Sequence, residues 1–100
     1  MAADYPTVTL APYVVLRYRL AEGYLARRGA YRAEHLELVG EYRRAGLLAL
    51  AGALDGPADE ALLVFATDDL GVAEAFAARD PYVREGLVVR REVRGWSVVA

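Results

Sequence analysis

Leu47-Leu-Ala-Leu-Ala-Gly-Ala53 and Ala61-Leu-Leu-Val-Phe-Ala66 are two short, nearly continuous apolar runs joined by Leu54-Asp-Gly-Pro-Ala-Asp-Glu60. Runs of this length suit strands, and the Gly56-Pro57 pair between them makes a loop, so the segment reads as a β-hairpin. A helical pattern lies on either side of it. Upstream, from about Arg28 to Ala45, Tyr31, His35, Leu38, Val39 and Tyr42 recur at steps of three to four residues while Glu34, Glu37, Glu41 and Arg44 fall opposite, which predicts a long amphipathic helix. Gly46 stands just past its last turn, where a glycine commonly ends a helix. Downstream, Thr67-Asp68-Asp69 supplies a cap with acidic residues in the first turn, and Leu70, Ala73, Phe76 and Ala77 line one side of a shorter helix ending near Arg79.

Beyond these helices lie two outer strands. Tyr13 to Leu20 alternates, with Val14, Leu16, Tyr18 and Leu20 on one face and Tyr13, Val15, Arg17 and Arg19 on the other. The second face is amphipathic, so a ligand or another subunit is expected to cover part of it. Asp80-Pro81 pairs a cap residue with the residue best suited to a first helical position, giving about one turn through Glu85 before Gly86. Leu87 to Val99 is the last strand, with Arg90, Glu92 and Arg94 facing one way and Gly95 marking a bulge that changes the face of Trp96. Met1 to Ala11 has no lasting period and reads as a leader to one domain spanning Pro12 to Ala100. The order is βαββαβ. Two helices can cover only one face of four strands, so the other face is expected to pair with a second copy, in a homodimer or a higher even-numbered assembly.

The composition bounds the function. The chain has 100 residues, 56% hydrophobic and 26% charged, with one His, no Cys and a formal charge of -2. Folding at this length removes roughly two thirds of the surface from water, enough for one core without disulfides. All basic residues are Arg, and Lys, Ile, Asn and Gln are absent, a bias of the kind a GC-rich genome produces. A net acidic chain with its arginines spread over several elements has no nucleic-acid footprint. No stretch reaches the roughly 18 apolar residues that span a bilayer, and the first residues lack the basic-then-apolar order of a signal peptide. A cytoplasmic protein with no membrane partner is therefore expected. One His and no Cys would leave carboxylates to supply nearly all the ligands of a metal, and no Gly-rich phosphate loop or serine elbow occurs, so no metal or cofactor is expected.

His35 lies on the apolar side of the long helix, one turn after Tyr31 and one turn before Leu38 and Val39. It is either a core histidine bonded to backbone or a general acid and base, since imidazole alone titrates near neutrality without a large perturbation. A histidine base works best with a carboxylate that fixes its tautomer. Glu34 and Glu37 point away, Asp68 and Asp69 are committed to capping, and Asp55 and Asp59 lie in a loop. Asp80 is left, and it also suits the cap of the Pro81 turn. Arg17 and Arg32, with Arg19, Arg27 and Arg28, are weaker candidates for drawing in an anionic substrate, and the alternative for each is a solvated side chain over apolar surface. Tyr82, with Tyr13, Tyr31 and Trp96, could line an aromatic pocket or belong to the core.

Arg32-Ala-Glu-His35-Leu36, Ala51-Gly52-Ala53, Ala78-Arg-Asp80-Pro81-Tyr82-Val83, and Gly86-Leu87 leading into Val93-Arg-Gly-Trp96 together resemble the YCII (YciI-like) family, from about Tyr13 to Val99. The resemblance implies a ferredoxin-like α+β fold dimerising as an α+β barrel, with a His/Asp pair as active centre, here His35 and Asp80. One branch of the family resembles chlorohydroxyhydroquinone dehydrochlorinases, and related barrels include muconolactone isomerases, which implies small cyclic, oxygenated substrates. Two classes of function stay open. In one, His35 moves a proton on a small molecule as an isomerase or cofactor-free lyase. In the other, the same cavity binds a metabolite without chemistry, or the domain serves only as a dimeric interaction module.

Overall fold

The computed structural model describes residues 11–99, so the leader expected at the N-terminus lies outside the described residues except for Ala11. Ala11 is already the first residue of strand β1 (Ala11–Leu20). There follow α1 (Tyr24–Arg27), a short 3-10 turn (Arg28–Ala30), α2 (Arg32–Arg44), β2 (Leu48–Ala53), β3 (Glu60–Phe65), α3 (Leu70–Arg79), α4 (Pro81–Arg84) and β4 (Val88–Val98). The four strands form one sheet in the order β2-β3-β1-β4, and each neighbouring pair is antiparallel. The fold is a ferredoxin-like α+β sandwich.

Alternation in β1 places Val14, Leu16, Tyr18 and Leu20 in the core, beside Ala61, Leu63 and Phe65 of β3. Leu38 and Tyr42 of α2 and Ala73, Phe76 and Ala77 of α3 close over them. Tyr42, Phe65 and Phe76 meet edge to face at centroid separations of 5.0 to 6.1 Å, a geometry that adds to their area burial. Gly46, at φ 75°, takes the left-handed conformation that ends α2.

Three local expectations are corrected. The first helix does not run unbroken from Arg28. Tyr31, at φ -119° and ψ 0°, separates the 3-10 turn from α2, because Gly29 weakens the helix there and a short 3-10 turn satisfies the backbone instead. At α3, Asp69 alone is the cap, accepting from the Gly71 N–H at 2.8 Å, with no acidic residue inside the first turn. Leu70, the first residue of that helix, is exposed. Finally, Gly95 marks no bulge. It pairs with Val14 in an unbroken register that sets Trp96 opposite Tyr13, and the irregularity falls at Arg19/Leu20. Trp96 therefore shares a face with Arg90, Glu92 and Arg94 by simple alternation.

That helix-free face carries Tyr13, Val15 and Val64 with the more exposed Leu50, Leu62 and Trp96, bordered by Arg17, Arg19, Glu60, Glu92 and Arg94. Leu50 is 68% and Trp96 49% exposed, so apolar surface is contiguous where no helix covers the sheet.

Candidate active site

Asp80 is the joint between α3 and α4, ending one helix and capping the next. Pro81 disfavours helical backbone at the residue before it, and Asp80 accordingly is extended, at φ -74° and ψ 119°. This turns its side chain back into the protein, where it is fully buried. Its Oδ1 accepts from the Tyr82 N–H at 3.0 Å and lies 2.9 Å from His35 Nδ1. Its Oδ2 accepts from the Tyr18 hydroxyl at 2.8 Å. The other two partners are donors, so the set is complete when Nδ1 carries hydrogen, which leaves Nε2 as the nitrogen with a free lone pair.

His35 stands in the first turns of α2, the helix whose face packs on β2 and the core. Its ring stacks on Tyr82 at 3.9 Å and 9° and meets Phe76 edge-on at 6.5 Å. Packing thus fixes the ring plane while Asp80 fixes its rotation. The side chain is 13% exposed, and the exposed part borders a cavity of about 130 Å³ lined also by Tyr18, Tyr24, Arg28, Arg32 and Tyr82. Two ion pairs frame this crossing of elements from outside: Arg84 of α4 holds both carboxylate oxygens of Glu34 at 3.0 and 3.1 Å, and Arg79 at the end of α3 pairs with Glu41.

Burial, then the negative charge of Asp80 and the hydrogen bond to it, push the Tyr18 hydroxyl far above the usual phenol range. Tyr18 is therefore a permanent donor and not a base. The unfolded chain ionises this phenol near the ordinary value of 10 and the folded one does not, so its contribution to stability is complete below that pH and is lost above it. Denaturant unfolding of the wild type at rising alkaline pH should show stability falling beyond about pH 10, and Tyr18→Phe should flatten that fall. An equal fall in both proteins would place the titrating group elsewhere.

The sequence-derived candidates separate into two sets. His35, Asp80, Arg32 and Tyr82 come together, with Arg28. Arg17 does not join them: it lies on the helix-free face, ion-paired with Glu60 beside Arg19, Arg90 and Glu92, because odd-numbered β1 residues point away from the helices. Arg27 reaches the Glu85 carbonyl. Tyr13 and Trp96 pair on the helix-free face, and Tyr31 packs at the edge of the core. Tyr18 and Tyr24 are site residues that sequence reading assigned no role. The available signal was a phenol at an inward strand position, where a buried hydroxyl needs a partner. Among the described residues no three His, Asp or Glu side chains converge as a metal would require, and no helix is long and apolar enough to cross a membrane.

The YCII-related domain model matches residues 11–97, and the chain belongs to the YCII family. Solved structures with the same fold include 5-chloro-2-hydroxyhydroquinone dehydrochlorinase from Burkholderia phenoliruptrix in complex with 2,5-dihydroxybenzoquinone, at TM-score 0.70 and 17% identity over 85% of this chain and 93% of that one. A NIPSNAP family protein of unknown function from Agrobacterium tumefaciens matches at TM-score 0.57 and 18% identity over 95% and 93%. An uncharacterized NIPSNAP domain protein from Burkholderia xenovorans matches at 0.54 and 19% over 89% and 95%. No curated protein matches the sequence.

Proposed function

We propose that the chain is a cytoplasmic, cofactor-free enzyme that moves a proton on a small cyclic or aromatic oxygenated molecule, as an isomerase or a dehydrochlorinase-like lyase. The observation that carries this reading is the 2.9 Å contact between His35 Nδ1 and a fully buried Asp80 beside a cavity. A core histidine has no need of a buried carboxylate and an open flank. His35 Nε2 takes a proton from substrate carbon or hydroxyl, and Asp80 orients the ring and stabilises the imidazolium that forms. In an isomerase the same proton returns to another atom; in a lyase the bonding pair freed by its removal expels the leaving group. A fold shared with a dehydrochlorinase that binds a dihydroxybenzoquinone supports ring substrates. Replacement of His35 by alanine tests this reading: turnover should be lost while the fold is kept.

The active unit in this proposal is a homodimer joined through the helix-free sheet face, where Leu50, Leu62 and Trp96 are exposed. Such contiguous apolar surface marks interaction sites on soluble proteins. Light scattering at micromolar concentration should give twice the 10.9 kDa chain mass, or a higher even multiple, and Leu62→Arg should yield folded monomer. A wild-type monomer at that concentration would reject the barrel.

A further inference from the structure

The cavity beside His35 is electrically one-sided. Arg28 and Arg32 stand on its wall and no carboxylate does. Among the described residues neither arginine forms an ion pair. Arg28 rests over the Tyr24 ring, 5.5 Å from its centroid, which confines a guanidinium that would otherwise sweep through solvent. Tyr24 in turn meets Tyr82 edge-on at 5.7 Å. The hydroxyl oxygen of Tyr82, a residue only 2% exposed, is buried and makes no hydrogen bond of good geometry, although the Arg32 guanidinium lies near enough to act on it. A buried hydroxyl left unpaired is costly, and in a native site it asks for a ligand or water. Burial raises the Tyr82 pKa, with the Arg32 guanidinium opposing it, so the group stays a donor at neutral pH.

We propose that Arg28, Arg32 and the Tyr82 hydroxyl form an oxyanion subsite, and that the molecule bound beside His35 is a single-ring organic acid whose carboxylate or phenolate oxygen occupies it. All three are donors, and paired guanidinium donors match a carboxylate or an aryl oxyanion better than any neutral group. An apolar cavity of about 150 Å³ holds benzene, so one of about 130 Å³ that opens to solvent has room for a single ring. This inference rests on the reading that the cavity binds a small molecule and adds the class of that molecule. It also orients the ligand: the anionic oxygen lies at the arginine end and the atom to be deprotonated faces the imidazole.

The test is titration of benzoate, 4-nitrophenolate and the neutral benzamide into isotope-labelled protein, followed through the NMR signals of the His35 imidazole and the Tyr82 ring. At least one anion should move both sets of signals and bind at least about tenfold more tightly than benzamide, and the tighter of the two names the oxygen type. Arg28→Gln and Arg32→Gln should each weaken that anion by about tenfold to a hundredfold, and Tyr82→Phe by about threefold to tenfold, in proteins whose other signals are unmoved. Equal binding of benzamide, or indifference to both arginine variants, would overturn the subsite and leave the proton-transfer reading intact. Anion-dependent shifts at Arg19 and Arg90 in place of His35 would also overturn it. If none of the three compounds moves the His35 signals, the cavity reading beneath it fails as well.

Discussion

Replacement of His35 by alanine is expected to lower kcat by about a hundredfold to ten-thousandfold, the range a positioned general base contributes. The substrate must first be found in a screen of small cyclic acids, lactones and halogenated phenols. The fall should appear in kcat and kcat/KM together, since the proton leaves the substrate only on the way to the transition state. His35→Asn is the control for folding. Its amide can donate to Asp80 roughly where Nδ1 does, so it should melt close to wild type and be as inactive as the alanine variant. Normal turnover by both variants would make the pair structural. Binding without conversion in the wild type, weakened by His35→Ala, would instead identify a metabolite-binding protein.

Asp80→Ala should be the most damaging single change to the fold. It takes the acceptor from two buried donors, the Tyr18 hydroxyl and the Tyr82 N–H whose bond to Asp80 is the cap of α4, at about 1–3 kcal/mol each. The sum is about 2–6 kcal/mol, a large part of the stability of a domain this size. At about 4–8 °C per kcal/mol, thermal unfolding should begin at least about 8 °C lower. Asp80→Asn keeps an acceptor oxygen for the cap, and its amide N–H can donate to the Tyr18 hydroxyl oxygen in place of the bond Oδ2 accepted, but it presents no negative charge to an imidazolium. It should recover most of the stability and little of the activity. If the alanine variant melts within a few degrees of wild type, the three hydrogen bonds are not jointly formed in solution.

These variants also mark what was legible in the sequence. Alternation in β1 and the helical spacing from Tyr31 to Tyr42 require nothing beyond local periodicity, and both pointed to the correct buried faces. His35 and Asp80 could be singled out because one is the lone histidine and the other precedes a proline at a helix junction. What periodicity cannot carry is register. Which face Trp96 takes depends on β1 and β4 pairing without interruption at Gly95. That Arg17 falls on the opposite side of the sheet from Arg32 follows only once β1 and α2 are packed together. Tyr18 was correctly placed inward, yet its partner lies 62 residues away, a distance that no local pattern spans.

One oxygen of Asp80 serves two masters: Oδ1 receives both the Tyr82 backbone N–H and the His35 ring. Whatever changes the charge or position of that imidazole alters the acceptor that pins the first turn of α4. The Tyr82 amide is thus a built-in gauge of the site. Its rate of exchange with deuterated solvent should respond when His35 is protonated or a ligand presses on Nε2, before any substrate or product has been identified.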